Sequence, residues 1–146
     1  MRAVTPVVMG HTAATLAMFG LMWCVQIVVY PQFHSVEPAS FAQYVTDHSN
    51  RIVLALAVLA PAEIGFAAWL WLDPPTGIGR TSAFIAGLLL AIGWIATALW
   101  FAPLHGKLQT GFDAARIQQL ITTNWIRTGL WTARAGFALW FLTRAS

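Results

Sequence analysis

Two arginines stand in the last apolar stretch of the chain, Asn124-Trp125-Ile126-Arg127-Thr128-Gly129-Leu130-Trp131-Thr132-Ala133-Arg134. An arginine near the middle of a membrane helix costs roughly 2.5–3.5 kcal/mol on insertion scales, so it persists only against a partner, a polar cavity or the interface. The rest of the chain must therefore supply what these guanidinium groups face. At about 100° per residue, Asn124, Arg127, Trp131 and Arg134 share one side of a helix. Gly129 and Gly136 fall roughly opposite and are expected to form a packing face.

The medium follows from composition. A chain of 146 residues that is 58% hydrophobic and 9% charged, with a mean hydropathy of +0.67, lies outside the range of soluble domains and reads as an all-α integral membrane protein with a single transmembrane domain. Its net charge of +3 is scattered along the chain. No basic run of the kind that nucleic-acid binding needs is present, and nucleic acid is excluded as a partner. Cys24 is the one cysteine, which excludes an intramolecular disulfide and dithiol exchange and reads as a small buried apolar side chain.

Apolar runs predict four membrane helices over residues 4–30, 51–72, 82–102 and 125–143, each near the roughly 20 residues that a bilayer requires. A signal peptide is the competing reading of the first run, but the run is long and lacks a small-residue cleavage site. Gln26 lies about one turn inside its Tyr30-Pro31 end and is expected to face the site. In the first long loop Phe41, Tyr44, Val45 and His48 recur at helical spacing after Pro38, which predicts a short amphipathic interfacial helix that turns His48 inward. Ser49 and Asn50 then read as the cap of the second span. Pro61 and Glu63 interrupt that span. Glu63 is about 18 Å from Arg51, and Arg134 about 15 Å from Asn124, so an ion pair between Glu63 and Arg134 at matched depth is expected, fixing helix register. The third span carries no charge and is expected to be scaffold. The last loop predicts a second amphipathic helix over residues 112–122.

Helix alternation places both long loops on one side of the membrane and both termini on the other. The arginine and lysine counts on the two sides tie, so the termini are assigned to the cytoplasm of a bacterial inner membrane on the exported character of the larger loops, which carry Glu37 and Asp47. The halves look weakly repeated: Pro31, His34, Asn50 and Arg51 correspond to Pro103, His105, Asn124 and Arg127, an arrangement that would put a site between two helix pairs.

Taken together, Gln26, Tyr30-Pro31, Phe33, His48, Pro61, Glu63, Pro103, His105 and Asn124-Trp125-Ile126-Arg127-Thr128 with Arg134 resemble a family of small four-helix bacterial membrane proteins. More distantly they resemble the anthrone-oxygenase-like membrane family, whose last helix also ends in a tryptophan and arginine motif. The first resemblance implies a second histidine after the tyrosine matching Tyr44, where this chain has Val45, and a paired-histidine metal role loses its basis. The second implies oxidation of a lipophilic polycyclic or quinone-like substrate without an obvious bound cofactor.

In physical terms such a reaction needs a base and a cationic stabiliser beside a lipid-accessible pocket. His48 or His105 would take a phenolic or enolic proton. Arg127 with Asn124 would hold the developing oxyanion where water is excluded. Gln26, Tyr30, Tyr44, Trp125 and Trp131 would surround the substrate. The same residues also suit a non-catalytic quinone-, haem- or pigment-binding subunit, in a homo-oligomer or a larger membrane complex. The sequence selects no cofactor. No metal site is expected, because His34, His48, His105 and Glu63 include no pair at i, i+3 or i, i+4.

Overall fold

The hydropathy pattern becomes four long helices in a computed structural model that describes residues 5–145; Arg2, one of the charges used for orientation, and the Val4 start of the first predicted span lie outside them. The helices are α1 (Pro6–Ser35), α2 (Phe41–Leu72), α3 (Arg80–Leu108) and α4 (Ala114–Arg144), and no strand occurs among the described residues. α1, α2 and α3 are long and apolar enough to cross a bilayer. α4 is 31 residues long but buries Asn124, Arg127 and Arg134, so these three polar groups lie on its inward face. α1 packs against α2 and α4, and α3 packs against α2 and α4.

Neither amphipathic loop helix is a separate element. The expected break at Ser49-Asn50 does not form, and α2 runs from Phe41 without interruption through the second span. Likewise the 112–122 segment is the beginning of α4, which Asp113 caps by accepting a hydrogen bond from the Arg116 N–H at 3.0 Å. Extending a helix adds a hydrogen bond for each residue fixed, whereas restarting one repeats the cost of nucleation, so cap-type residues alone do not divide a helix.

Prolines also fail to end the spans where expected. In α1 the turn Val25–Val29 is π-helical, with the Tyr30 N–H bonded to the Val25 carbonyl, and Pro31 follows. In α3 the turn Thr97–Phe101 is π-helical, with the Ala102 N–H bonded to the Thr97 carbonyl, and Pro103 follows. A proline ring crowds the carbonyl four residues back and has no N–H to give; widening the preceding turn relieves both problems and lets the helix continue. The two halves thus share a π-turn followed by proline at matching places.

The helices are joined deep in the core by one side chain. Arg134 of α4 donates to Glu63 Oε1 of α2 at 3.2 Å, to Thr15 Oγ1 of α1 at 3.3 Å and to the Ala86 carbonyl of α3. The Glu63 and Arg134 side chains are both almost fully buried, so the expected ion pair is present and the third span supplies one of its acceptors. Trp131 Nε1 donates to the same carboxylate at 3.0 Å, and its ring lies on Gly93, where a Cβ would come within 2.7 Å of it. Only glycine admits that approach. Gly129 and Gly136 do not form the expected packing face. Both are exposed with open space around them, because the face that α4 turns toward the other helices is the opposite one, where Arg134, Ala135 and Ala138 are buried; Cys24, expected to be buried, is exposed as well.

Candidate functional site

About two helical turns from the ion pair toward the long loops, the four helices enclose a cavity of about 260 Å³. Tyr30 enters it from α1, His48 and Ser49 from α2, Phe101 and His105 from α3, and Arg127 from α4. Each is placed by its element. The π-turn in α1 ends just before Tyr30 and that in α3 at Phe101, while His48 is carried on the uninterrupted first turns of α2.

Arg127 is 4% exposed. Its Nη1 donates to Asn124 Oδ1 at 3.2 Å, and its guanidinium lies over the Phe101 ring at 4.7 Å and near the Trp131 ring at 5.9 Å. Among the described residues no carboxylate lies within ion-pairing reach of it, and its Nε has no hydrogen-bond partner. Behind it, Asn124 Nδ2 donates to Gln26 Oε1 at 2.9 Å, Thr128 Oγ1 donates to the same oxygen at 3.4 Å, and Gln26 Nε2 donates to the Ile121 carbonyl at 3.1 Å. This chain of amides fixes the orientation of Asn124 and so of the guanidinium fork.

The two histidines meet. His48 and His105 stack with ring centres 6.1 Å apart and planes 16° apart, and the Tyr30 ring packs against both, at 6.4 Å and 5.5 Å. His105 Nδ1 lies 2.8 Å from the Phe101 carbonyl. A carbonyl only accepts, so Nδ1 carries the hydrogen, and Nε2 of the neutral ring holds the lone pair. His105 is therefore set as a base or acceptor. Ser49 Oγ is also buried without a partner at the cavity.

Of the expected site residues, His48, His105, Arg127 and Tyr30 come together around the cavity. Gln26 and Asn124 stand behind Arg127 and not on the cavity wall. Tyr44 lies outside it, edge-on to Phe33 at 5.6 Å. Trp125 faces outward, 49% exposed and edge-on to Trp23 at 5.7 Å. Trp131 is fully buried with Glu63, on the ion-pair side of Arg127. Trp131 lies on the expected face of α4 but at a different depth, since one face of a long helix crosses both polar layers. His34 is exposed and apart from the cavity.

Phe101, Thr97 and Ser49 line the cavity and were not anticipated. The third span lacks charge and is expected to be scaffold, yet its phenylalanine face is the surface on which the Arg127 cation rests. The signal available for it was Pro103, which marks the altered turn next to Phe101. Among the described residues no three histidine, cysteine, aspartate or glutamate side chains converge as metal ligands would.

The arrangement combines a fixed cation, a lone-pair nitrogen and an apolar wall of Met22, Val25, Ile52 and Leu56. It suits a flat apolar molecule that carries oxygen. Set against family models, curated proteins and solved structures, the chain finds no match in any of the three.

Proposed function

We propose that the chain is an antiparallel four-helix membrane bundle that works as an oxygenase-like oxidoreductase on a lipophilic, polycyclic or quinone-like substrate. The observation that carries this reading is Arg127, a buried guanidinium that lines the cavity with no carboxylate beside it among the described residues. A buried cation is costly unless something offsets it, and a ligand oxygen carrying negative charge does so at the moment of reaction. Access from the lipid supports the lipophilic part. The cavity opens between α2 and α3, where Val53 is 59% exposed, and Leu99 and Trp100 beside the α3 lip are also exposed.

In this reading the His105 Nε2 lone pair takes a proton from a ring carbon or hydroxyl conjugated to a carbonyl, and Arg127 holds the resulting oxyanion. The electron-rich anion then gives an electron pair to dioxygen at the deprotonated ring carbon. The hydroperoxide formed on reprotonation loses water, so that one oxygen atom ends as a new carbonyl and the other as water. The resemblance of the Asn124-Trp125-Ile126-Arg127 segment to the anthrone-oxygenase-like family points the same way. The early turns of α2 and α4 would lie at the membrane surface, with both termini on the cytoplasmic side of a bacterial inner membrane.

The test is oxidation of anthrone by purified protein in liposomes, followed by the absorbance of the quinone product and by dioxygen uptake. The wild type is expected to exceed protein-free liposomes, and Arg127→Gln and His105→Phe to fall back to their rate. A wild-type rate equal to that of protein-free liposomes, for anthrone and for related polycyclic enols, would sink the proposal.

A further inference from the structure

A second hollow, of about 420 Å³, lies on the same α2–α3 seam as the mouth of the cavity, in the half of the bundle away from the long loops. Its walls are small. α2 brings Ala67 and Ala68, α3 brings Ala83, Gly87 and Ala91, and the lining holds no charged group and no polar one apart from two indoles. Facing small residues ordinarily let two helices close on each other. Here bulky rings stand at both ends, Trp71 against Phe84 at 6.2 Å near the α2–α3 turn and Trp94 toward the cavity, and the space between them stays open. From Ala83 to Trp94 it runs about 16 Å along α3.

The hollow and the cavity share a floor. One packed group of side chains supplies Met22 and Leu56 to the cavity and Ala67, Leu90 and Trp94 to the hollow. Trp94 stands edge-on to Trp131 at 5.9 Å, and Trp131 lies near the Arg127 guanidinium. The outer edge of the seam is low between the two spaces. Ala57 follows Val53 at helical spacing on α2, and Ala98 lies between Ala91 and Ala102 on α3, all of them exposed.

We infer that the ligand of the cavity carries a long hydrocarbon tail and that the α2–α3 hollow is the seat of that tail. The inference deepens, and rests on, the reading of the cavity as the place of an oxygen-bearing ring beside Arg127. The cavity has two ends of different character. Ser49 and Gln109 stand at its loop end, whereas the mouth at Val53 and the hollow beyond it are hydrocarbon. A tailed ring placed this way has its oxygens toward the membrane surface and its chain toward the bilayer centre, the orientation it takes in lipid. A phospholipid chain meets no polar contact in the hollow that would hold it. A tail is held there by the ring to which it is joined, which raises its effective concentration at the hollow, and burying the tail adds to the affinity of the ring. The ligand class is thus a quinone or quinol with an isoprenoid or alkyl tail.

The test compares two ligands with one ring, 2,3-dimethyl-1,4-naphthoquinone and 2-methyl-3-geranylgeranyl-1,4-naphthoquinone, on the full chain in phosphatidylcholine liposomes. Binding is read by competition against the radiolabelled short quinone, and affinities are expressed as mole fractions in the bilayer so that partition into lipid cancels. The tailed quinone is expected to bind at least about tenfold more tightly than the short one. Gly87→Leu puts a side chain into the hollow at a position where an added Cβ meets open space, and Ala68→Leu is a second filling variant should the first not fold. Filling the hollow is expected to bring the tailed quinone down to the affinity of the short one and to leave the short one unchanged. A tail that ends in a photoreactive diazirine is expected to label residues 64–71 of α2 or 83–94 of α3, and Arg127→Met to abolish that labelling.

Equal affinity of the two quinones overturns the inference, as does a filling variant that weakens both alike. Labelling that falls outside the hollow, although the quinone binds in an Arg127-dependent way, overturns it and leaves the reading of the cavity intact. The same holds if a diazirine-bearing phosphatidylcholine labels the hollow and the tailed quinone does not displace it, because bulk lipid is then the occupant. If neither quinone binds in an Arg127-dependent way, the reading of the cavity fails and the inference with it.

Discussion

Arg127 and Arg134 stand two turns apart on one face of one helix, and their surroundings have opposite character. Arg134 is neutralised, although its Nε, like that of Arg127, has no partner. It has a carboxylate, a hydroxyl and a carbonyl from three different helices, and Trp131 occupies the rest of the carboxylate. Arg127 has one amide oxygen, two aromatic faces and a cavity. The difference teaches that a buried charge can hold a fold together when its partners come from other helices, and that the same residue type on the same face can be buried with no such counter-charge. Trp131 divides the two layers, with its N–H on Glu63 and its ring near Arg127.

The comparison breaks most sharply at Glu63. Glu63→Ala leaves Arg134 buried without its anion and is expected to destabilise the protein by about 3–5 kcal/mol, read as loss of the monodisperse peak in size exclusion and as a large drop in thermal midpoint. Replacing both partners, as Glu63→Met with Arg134→Met, should recover most of that loss, and a double mutant no better than the single one would mean the pair is not the source of the effect.

A smaller effect is expected for Trp131→Phe, which removes a hydrogen bond to a charged group and keeps most of the ring: about 1.5–3 kcal/mol in chemical denaturation. Arg127→Met comes next. It removes a cation that the fold does not neutralise, so stability should stay within about 1 kcal/mol of wild type or rise, while binding of 2,3-dimethyl-1,4-naphthoquinone is lost. Equal destabilisation by Arg127→Met and Glu63→Ala would erase the distinction between the two arginines. The smallest change is Gly129→Ala on the exposed face of α4, which meets open space and should stabilise the helix by roughly 0.5–1 kcal/mol. A loss of stability or of oligomeric state there would show that this face is covered by another chain.

Much of the fold was legible because hydrocarbon imposes a simple rule. Runs of apolar residues set where helices cross, and the cost of a charge in that medium made Glu63 and Arg134 conspicuous enough to pair by counting depth. Helix ends were less legible. Pro31 and Pro103 looked like terminators, but a widened turn absorbs each of them, and no local signal in the sequence distinguishes a proline that ends a helix from one that follows a π-turn. Ser49 and Asn50 were misleading for a related reason: their capping preference competes with a helix already growing from Phe41, and the growing helix wins.

The site was half legible. Polar residues in an apolar chain point to themselves, which is how His48, His105, Tyr30 and Arg127 were found. Phe101 and Met22 carry no such mark, since they are ordinary apolar side chains until a neighbouring helix puts Arg127 and a cavity beside them.

By itself the sequence determined the all-helical class, the apolar helices of bilayer length and the pairing of Glu63 with Arg134, because each follows from the one-dimensional cost of placing a group in hydrocarbon. Only the tertiary structure decided which arginine is neutralised and which lines a cavity with no carboxylate beside it among the described residues. It also decided that His48 and His105 stack and that Trp131 belongs to the ion pair and not to the cavity. Those outcomes depend on what the other helices bring to the same depth, and a helix of 31 residues passes through several depths on a single face.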